Sequence, residues 1–337
     1  MTASDISQHH ILVTGASGFV GGHLARKLLS LGAKVNLLLR NTNSKTAREL
    51  ENLGATLIQG DVKKIDTLLL ASQDCDIVMH VAALFREAKH PDSEYFEVNV
   101  RGTANVLEAA KDNRVRRVVY CSTNGVHGGY YSKPIDETYK FEPGDVYQVS
   151  KCESEELIQK FIKDNSTPEV VILRPGMIWG EGDSRFKKMF SGVSKGTLPI
   201  IGTGKTWTHW LYVHDLVDAF ISAALVPGIN GEAFLIAGDR PVTLQYVYKT
   251  IASLAGAKVF PLRIPALPVQ IAGSICETIC SPLGIEPPLF RRRVDFFVKN
   301  RCFDTSKAKR LLNFHPKQTF EDETRNIFEW YKESGWL

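Results

Sequence analysis

The sequence predicts an α/β protein built on a doubly wound parallel sheet. Three observations carry that prediction. Apolar runs of strand length alternate with amphipathic helical stretches through the first half of the chain. A glycine-rich turn joins the first of those strands to the first helix. The chain has 337 residues, 44% of them hydrophobic, enough for one sheet-centred core with a smaller elaboration.

The elements follow in order. The run ILVTGASGFVGG at 11–22 opens as a strand and turns on Gly15, Gly18 and Gly21, spaced GxxGxxG. Without Cβ atoms the chain can turn tightly and approach a pyrophosphate, while the free N–H groups and dipole at the helix start attract it. Residues 23–31 supply the helix, with Leu24, Leu28 and Leu31 on one face and Gly32 as its stop. Residues 34–39, 55–59, 76–81, 115–121 and 170–173 read as further strands. Helices are expected over 45–53 and 146–163, and a long one, carrying Val98, Val106 and Ala109, between the fourth and fifth strands. Right-handed crossovers then give a Rossmann-type sheet. Beyond Pro175 the rhythm breaks and Gly and Pro become frequent. Residues 1–175 are therefore expected to form the nucleotide-binding core with the reactive side chains. Residues 176–337 would be mainly a substrate-binding lid in the same integrated unit, with a segment at 236–237 returning to the sheet.

Charge excludes some partners. The 41 basic and 37 acidic side chains leave a net charge of +4, too balanced for a nucleic-acid or acidic membrane surface. The six cysteines are scattered, without CxxC pairs or metal-ligand spacing, and free thiols in a reducing compartment are expected; Cys276 and Cys280, four residues apart, would share a helix face for packing. The start, MTASDISQHH, has no apolar core, and no apolar run approaches the ~18 residues of a membrane span. A cytoplasmic protein without a membrane span is the expectation.

The second strand ends in Arg40, with no Asp or Glu there and with Lys45 close by. A carboxylate at this place bonds the adenosine ribose, whereas an arginine accommodates a 2′-phosphate. NADP(H) is thus expected as cofactor over NAD(H). Asp61, after the third strand, can accept from the adenine amino group, and the small turn Val81, Ala82, Ala83 lets a cofactor pass.

Tyr147 and Lys151 stand at i and i+4 on a predicted helix and project from one face. A phenol with a pKa of about 10 is a poor base at neutrality, but a neighbouring ammonium lowers it by about 1–3 units. Tyr147 could then exchange a proton with a substrate oxygen while hydride moves, and Lys151 could also hold the nicotinamide ribose. Ser122 and Thr123 end the fifth strand, where open α/β sheets bind ligands, and Thr123 is the chosen third member.

On these residues the chain resembles the extended short-chain dehydrogenase/reductase family, which includes NDP-sugar epimerases, 3β-hydroxysteroid dehydrogenases and dihydroflavonol reductases. TGASGFVGG, with Phe19 and Val20, resembles its glycine motif; Asp61-Val62 its adenine contact; His80 to Ala83 its fourth-strand motif; Asn99 to Thr103 its helix motif. The resemblance puts Thr123, Tyr147 and Lys151 on catalytic positions. It puts Asn99, Pro175 and Ile178 beside the cofactor, with Trp179 where Tyr is usual. Tyr212 to Leu216 resembles the HVxDL motif, and Phe303-Asp304 with Lys307-Ala308 and Leu311-Leu312 the C-terminal motif. It further implies a homodimer formed through the helices bearing Asn99 and Tyr147.

Departures narrow the chemistry. Asn124 and Gly125 follow Thr123 where sugar 4,6-dehydratases of similar sequence carry Asp and Glu, and neither can do acid–base work. The segment from Thr206 to Trp210 lacks the Arg that grips a diphosphate in NDP-sugar epimerases, although Arg291, Arg292 and Arg293 could supply phosphate contacts. The stretch 262–290, with Ile264, Leu267, Val269, Ile271, Ile275, Ile279, Leu283 and Leu289, is either an apolar lid or helices packed on the core. Trp207 and Trp210 could wall a pocket or fill one, while His209 and His214 read as structural. The expected function is an NADP(H)-dependent oxidoreductase interconverting a secondary alcohol and a carbonyl on a small, hydrophobic or nucleotide-linked molecule. An NDP-sugar 4-epimerase and a non-catalytic NADP(H)-binding sensor are the alternatives.

Overall fold

Seven parallel strands form the centre of the molecule, in the order β11-β6-β5-β4-β1-β2-β3. The computed structural model describes residues 6–85, 90–128, 133–280 and 297–337. The strands are β1 (His10–Thr14), β2 (Lys34–Leu39), β3 (Thr56–Gln59), β4 (Ile77–His80), β5 (Arg117–Cys121), β6 (Glu169–Pro175) and β11 (Ala233–Ile236). Short pairs lie outside this sheet: β7 (Met177–Trp179) beside β10 (Trp210–Tyr212), β8 (Ile200–Ile201) beside β13 (Arg263–Ile264), and β9 (Trp207–Thr208) beside β12 (Val242–Thr243). The helices used below are α1 (Phe19–Ser30), α2 (Lys45–Asn52), α3 (Ile65–Ala71), α4 (Gly102–Asp112), α5 (Val146–Asp164), α6 (Lys187–Ser194), α7 (Val213–Leu225), α8 (Leu244–Leu254), α9 (Ala266–Cys280), α10 (Ser306–Leu312) and α11 (Phe320–Glu333).

Alternation along β1 shows why the sheet is covered on both faces. Ile11 and Val13 pack with Leu24 and Leu28 of α1 and Leu216 and Phe220 of α7. Leu12 points the other way, into Leu68 of α3, Val106 of α4 and Ile158 of α5. All three β1 residues are fully buried, as a parallel sheet between two helical layers requires, each such side chain contributing about 1.5–3 kcal/mol. A third cluster joins Trp179 and Trp210 to Phe190 of α6, Tyr248 of α8 and Phe320, Phe328 and Tyr331 of α11.

Several boundaries depart from the sequence reading. Helix α1 starts at Phe19 rather than 23, taking Gly21 and Gly22 into its first turns despite the poor helix propensity of glycine. Close packing decides this: a Cβ on Gly21 would lie 2.3 Å from the Gly15 carbonyl oxygen. The long helix expected between β4 and β5 is three segments, Asp92–Tyr95, a π-helical Phe96–Arg101 and α4. Helix α3 was not expected, because its seven residues bury only Leu68 and Ala71 and show too little periodicity. β6 runs beyond both ends of the expected strand, since β5 and β11 both pair with it.

In the described part of the stretch from 262, Leu262, Leu267, Ile271 and Ile275 are more than half exposed and line no part of the cavity described below, while Ile264 and Val269 are half-buried. Leu283, Leu289 and Arg291 to Arg293 lie outside the described residues. None of the cysteines is disulfide-bonded. Among the described residues no helix is long and apolar enough to cross a membrane.

Candidate active site

A cavity of about 580 Å³ runs across the carboxyl ends of the sheet strands, from Arg40 and Asp61 beyond β2 and β3 to Thr123, Tyr147 and Pro175 beside β5 and β6. Its first half is main chain. Gly15 has φ +78°, and a Cβ there would meet the Ala82 nitrogen at 2.7 Å, so only glycine lets the turn pass this close to the end of β4. Gly18 caps α1 without a side chain, and the first-turn amides of Phe19, Val20 and Gly21 have no acceptor within the helix. All of these residues line the cavity, as do Val62, Val81, Ala82 and Ala83. The cradle has the narrow glycine approach and aimed amides that a dinucleotide pyrophosphate needs.

A buried relay fixes the turn after β4. The Ala82 N–H donates to Thr14 Oγ1 (3.2 Å), which donates to His80 Nδ1 (2.8 Å). His80 Nε2 meets Thr103 Oγ1 (3.1 Å), which donates to the Asn99 carbonyl (2.5 Å). The direction of these bonds requires the Nε2–H tautomer, and burial holds His80 neutral, its pKa pushed down to about 3. Asn99 sits in the π-helical turn; its amide bonds Leu84 N (2.8 Å), Leu84 O (3.1 Å) and Ser150 Oγ (2.8 Å). It braces the cavity wall from behind rather than lining it.

The second half is side chain. Asp145 caps α5 by accepting from Gln148 N (2.9 Å), which sets Tyr147 in the first turn, where it is buried to 7% exposure yet lines the cavity. Its ring meets that of Phe85 edge to face, centroids 4.9 Å apart. One turn deeper, Lys151 is 1% exposed, its Nζ donating to the Cys121 carbonyl at 2.7 Å and lying 4.1 Å from the centre of the Tyr120 ring. Burial lowers its pKa to about 8. Thr123 lines the cavity, its Oγ1 accepting from Gly125 N at 3.0 Å.

Residues 11–237 match the model of the NAD dependent epimerase/dehydratase family. The chain belongs to that family. It is an enzyme of the extended short-chain dehydrogenase/reductase type, as its relatives indicate. It is 30% identical to a 2-alkyl-3-oxoalkanoate reductase of Shewanella oneidensis, over 94% of this chain and 85% of the relative. It is also 30% identical to a 3-beta-hydroxysteroid dehydrogenase of Mycolicibacterium neoaurum, over 95% and 91%. The crystal structure of a UDP-glucose 4-epimerase from Thermotoga maritima shares the fold, with a TM-score of 0.77 at 21% identity, covering 96% of this chain and 99% of that one.

Within this extended short-chain dehydrogenase/reductase, three of the expected catalytic and cofactor-binding residues stay out of the cavity lining: Lys45, Asn99 and Lys151. Lys45 is exposed at the start of α2, while the other two are buried behind the wall. Pro175 and Ile178 reach the cavity. Trp179 does not; it is fully buried against Trp210, 4.5 Å between ring centres, and its Nε1 donates to Glu323 at 2.8 Å. Trp210 therefore fills the interior, whereas Trp207 is 45% exposed. His209 is structural: its Nε2 contacts the Gly238 carbonyl (3.1 Å), its Nδ1 accepts from Phe303 N (3.3 Å), and burial pushes its pKa to about 4.

Sequence reasoning missed Phe85, Arg185 and Arg301, which also line the cavity. Arg185 is gripped by Asp183 (Nε to Oδ1 2.8 Å, Nη2 to Oδ2 2.6 Å) and donates to the Ile178 carbonyl at 2.8 Å. Only the D-x-R spacing could have hinted at that local clasp. Nothing in the surrounding sequence marks Phe85 or Arg301.

Proposed function

We propose that the protein is an NADP(H)-dependent oxidoreductase that interconverts a secondary alcohol and a carbonyl on a largely apolar substrate, with Tyr147 as general acid and base. The observation that carries this reading is Tyr147 lining the same cavity as the glycine cradle, with Lys151 one helical turn below it. When bound, the nicotinamide supplies or takes up the hydride. The amides of Gly15 to Gly21 would hold the pyrophosphate, Arg40 and the more distant Lys45 the 2′-phosphate, and Asp61 with Val62 the adenine. Val81, Ala82 and Ala83 would pass under the dinucleotide, and Pro175 and Ile178 would flank its reactive ring. Asn99 would act through the Leu84 segment that it braces.

Toward reduction, the Tyr147 phenol gives its proton to the carbonyl oxygen, and Thr123 orients that oxygen. Lys151, with its pKa at about 8, is mostly cationic at pH 7 and so favours the phenolate that remains. It would also hold the nicotinamide ribose. The names of the two relatives, an oxoalkanoate reductase and a hydroxysteroid dehydrogenase, support an oxygen carried on an apolar frame. The decisive assay follows NADPH consumption with 2-alkyl-3-oxoalkanoates and 3-oxosteroids. Stoichiometric oxidation is expected; an NDP-sugar 4-epimerase would interconvert its sugar without net consumption. Tyr147→Phe should lower kcat by about 10²- to 10⁴-fold with NADPH affinity unchanged, and undiminished turnover would falsify the acid–base role.

A further inference from the structure

We propose that Glu155 is a positioning residue of this site: its carboxylate, clamped by Arg174, holds the Cys121–Thr123 segment in register and sustains the cation on Lys151. The proposal rests on the hydride-transfer reading above. Glu155 lies one turn beyond Lys151 on α5 and is 2% exposed. It accepts from Ser122 Oγ, and both of its oxygens accept from Arg174 Nε at 3.1 Å, with Nη2 reaching Oε2 at 2.6 Å. Arg174 Nη1 continues to His127 Nε2 (3.1 Å) and to the Glu137 carbonyl (3.1 Å). His127 donates from Nδ1 to the Lys140 carbonyl (3.2 Å), which leaves Nε2 as the acceptor, and burial lowers its pKa toward the neutral form.

Three consecutive residues therefore divide the work at the end of β5. Cys121 anchors Lys151 through its carbonyl, Ser122 anchors Glu155 through its hydroxyl, and Thr123 presents its side chain to the cavity. A shift of Ser122 moves both neighbours. The groups facing Lys151 are Tyr120 and Cys121 of β5, His80 of β4, and Glu155 of its own helix. His80 is neutral, and burial raises the Cys121 thiol to about 11, so it too is uncharged at neutral pH. Cys121 and, after it, Glu155 oppose the desolvation of Lys151, and with the Cys121 thiol uncharged Glu155 is the carboxylate among them, four residues further along α5. A buried ion pair is a weak source of stability, because desolvation offsets most of its attraction. Holding reactive groups in place gives this pair a second reason to exist.

The test is steady-state kinetics of Glu155→Gln and Ser122→Ala with NADPH and a 2-alkyl-3-oxoalkanoate, from about pH 6 to 10. Glu155→Gln keeps an acceptor for Ser122 and removes the charge. It should lower kcat by roughly 10-fold or more and leave NADPH affinity and KM within about threefold. The alkaline limb of kcat should move down by about one pH unit, since losing an opposite charge lowers the Lys151 pKa. Ser122→Ala keeps the Glu155–Arg174 pair and should lower kcat about fivefold with the limb in place, a weaker effect than acid–base loss. A folded Glu155→Gln enzyme with wild-type kcat and limb overturns the proposal. If that variant does not fold, Ser122→Ala with full kcat overturns it instead, and reduced kcat supports it. Tyr147→Phe separates the two levels: full activity there removes the underlying reading, whereas inactivity beside an unaltered Glu155→Gln removes only the role of Glu155.

Discussion

Between Gly15 and Gly21 the cavity wall is main chain, whereas around Tyr147 it is side chain propped by buried ions. The first end is made by one continuous segment, its turn closed by Gly18 N donating to Gly15 O at 3.0 Å. The second end is assembled from β5, α5, β6 and the loops between them. Ser122 and Glu155 are 33 residues apart, Arg174 and His127 47, and Trp179 and Glu323 behind them 144. The first end needs space and aimed amides, which one residue type can guarantee. The second needs charges kept dry and paired, which depends on the whole fold.

Changes at each end should fail in different ways. Among changes to nucleotide binding, the largest effect is expected at the main-chain end from Gly15→Ala. Its φ of +78° and a Cβ 2.7 Å from Ala82 N force the backbone to move, at a cost of about 1–3 kcal/mol. NADPH binding measured by fluorescence should weaken by up to ~100-fold, and unchanged affinity would show that the cradle tolerates a side chain. Arg40→Ala should come next. On the proposed NADP(H) reading, removing this charge-assisted bond, worth about 1.5–3 kcal/mol, should cut the preference for NADPH over NADH by about tenfold or more, leaving NADH affinity near its starting value. Equal losses for both nucleotides would move Arg40 away from the 2′-phosphate.

The smallest effect sharpens the side-chain end. Burial raises the Glu323 pKa from 4.5 to about 8, and that of Asp215 beside it to about 6. The folded protein thus keeps a proton on Glu323 that the unfolded chain releases, and stability should fall as pH rises between those two values. Glu323→Gln retains an acceptor for Trp179 Nε1. It should flatten the fall of Tm across this window, by several degrees at its alkaline end, with the Asp215 contribution remaining. A slope identical to wild type would mean that Glu323 is ionised in the folded state.

The residues that sequence reading found share one property: their signal is local. The glycine turn sits between an apolar strand and its helix, and Tyr147 and Lys151 are neighbours by helical spacing alone. Where the reading strayed, distant contacts had overruled local preference. Gly21 sits in the first turn of a helix where the Gly15 backbone comes too close for a side chain. The helix around Asn99 has a π-helical turn, with that side chain bonded to Leu84 and Ser150. Trp210, which the sequence leaves open between walling and filling a pocket, joins Trp179 in a core closed by Phe320 and Tyr331 from the end of the chain.

By itself, then, the sequence determined the alternating sheet, the glycine turn between strand and helix and the phenol–amine spacing, because periodicity and spacing act over a few residues along one chain. Only the tertiary structure decided that Lys45, Asn99 and Lys151 stand outside the cavity wall, and that Phe85, Arg185 and Arg301 belong to it. It also decided that Glu155 meets Ser122 and Arg174 beneath the site. Those outcomes depend on which groups long-range packing removes from water together, and desolvation of that kind has no signature in a local stretch of residues.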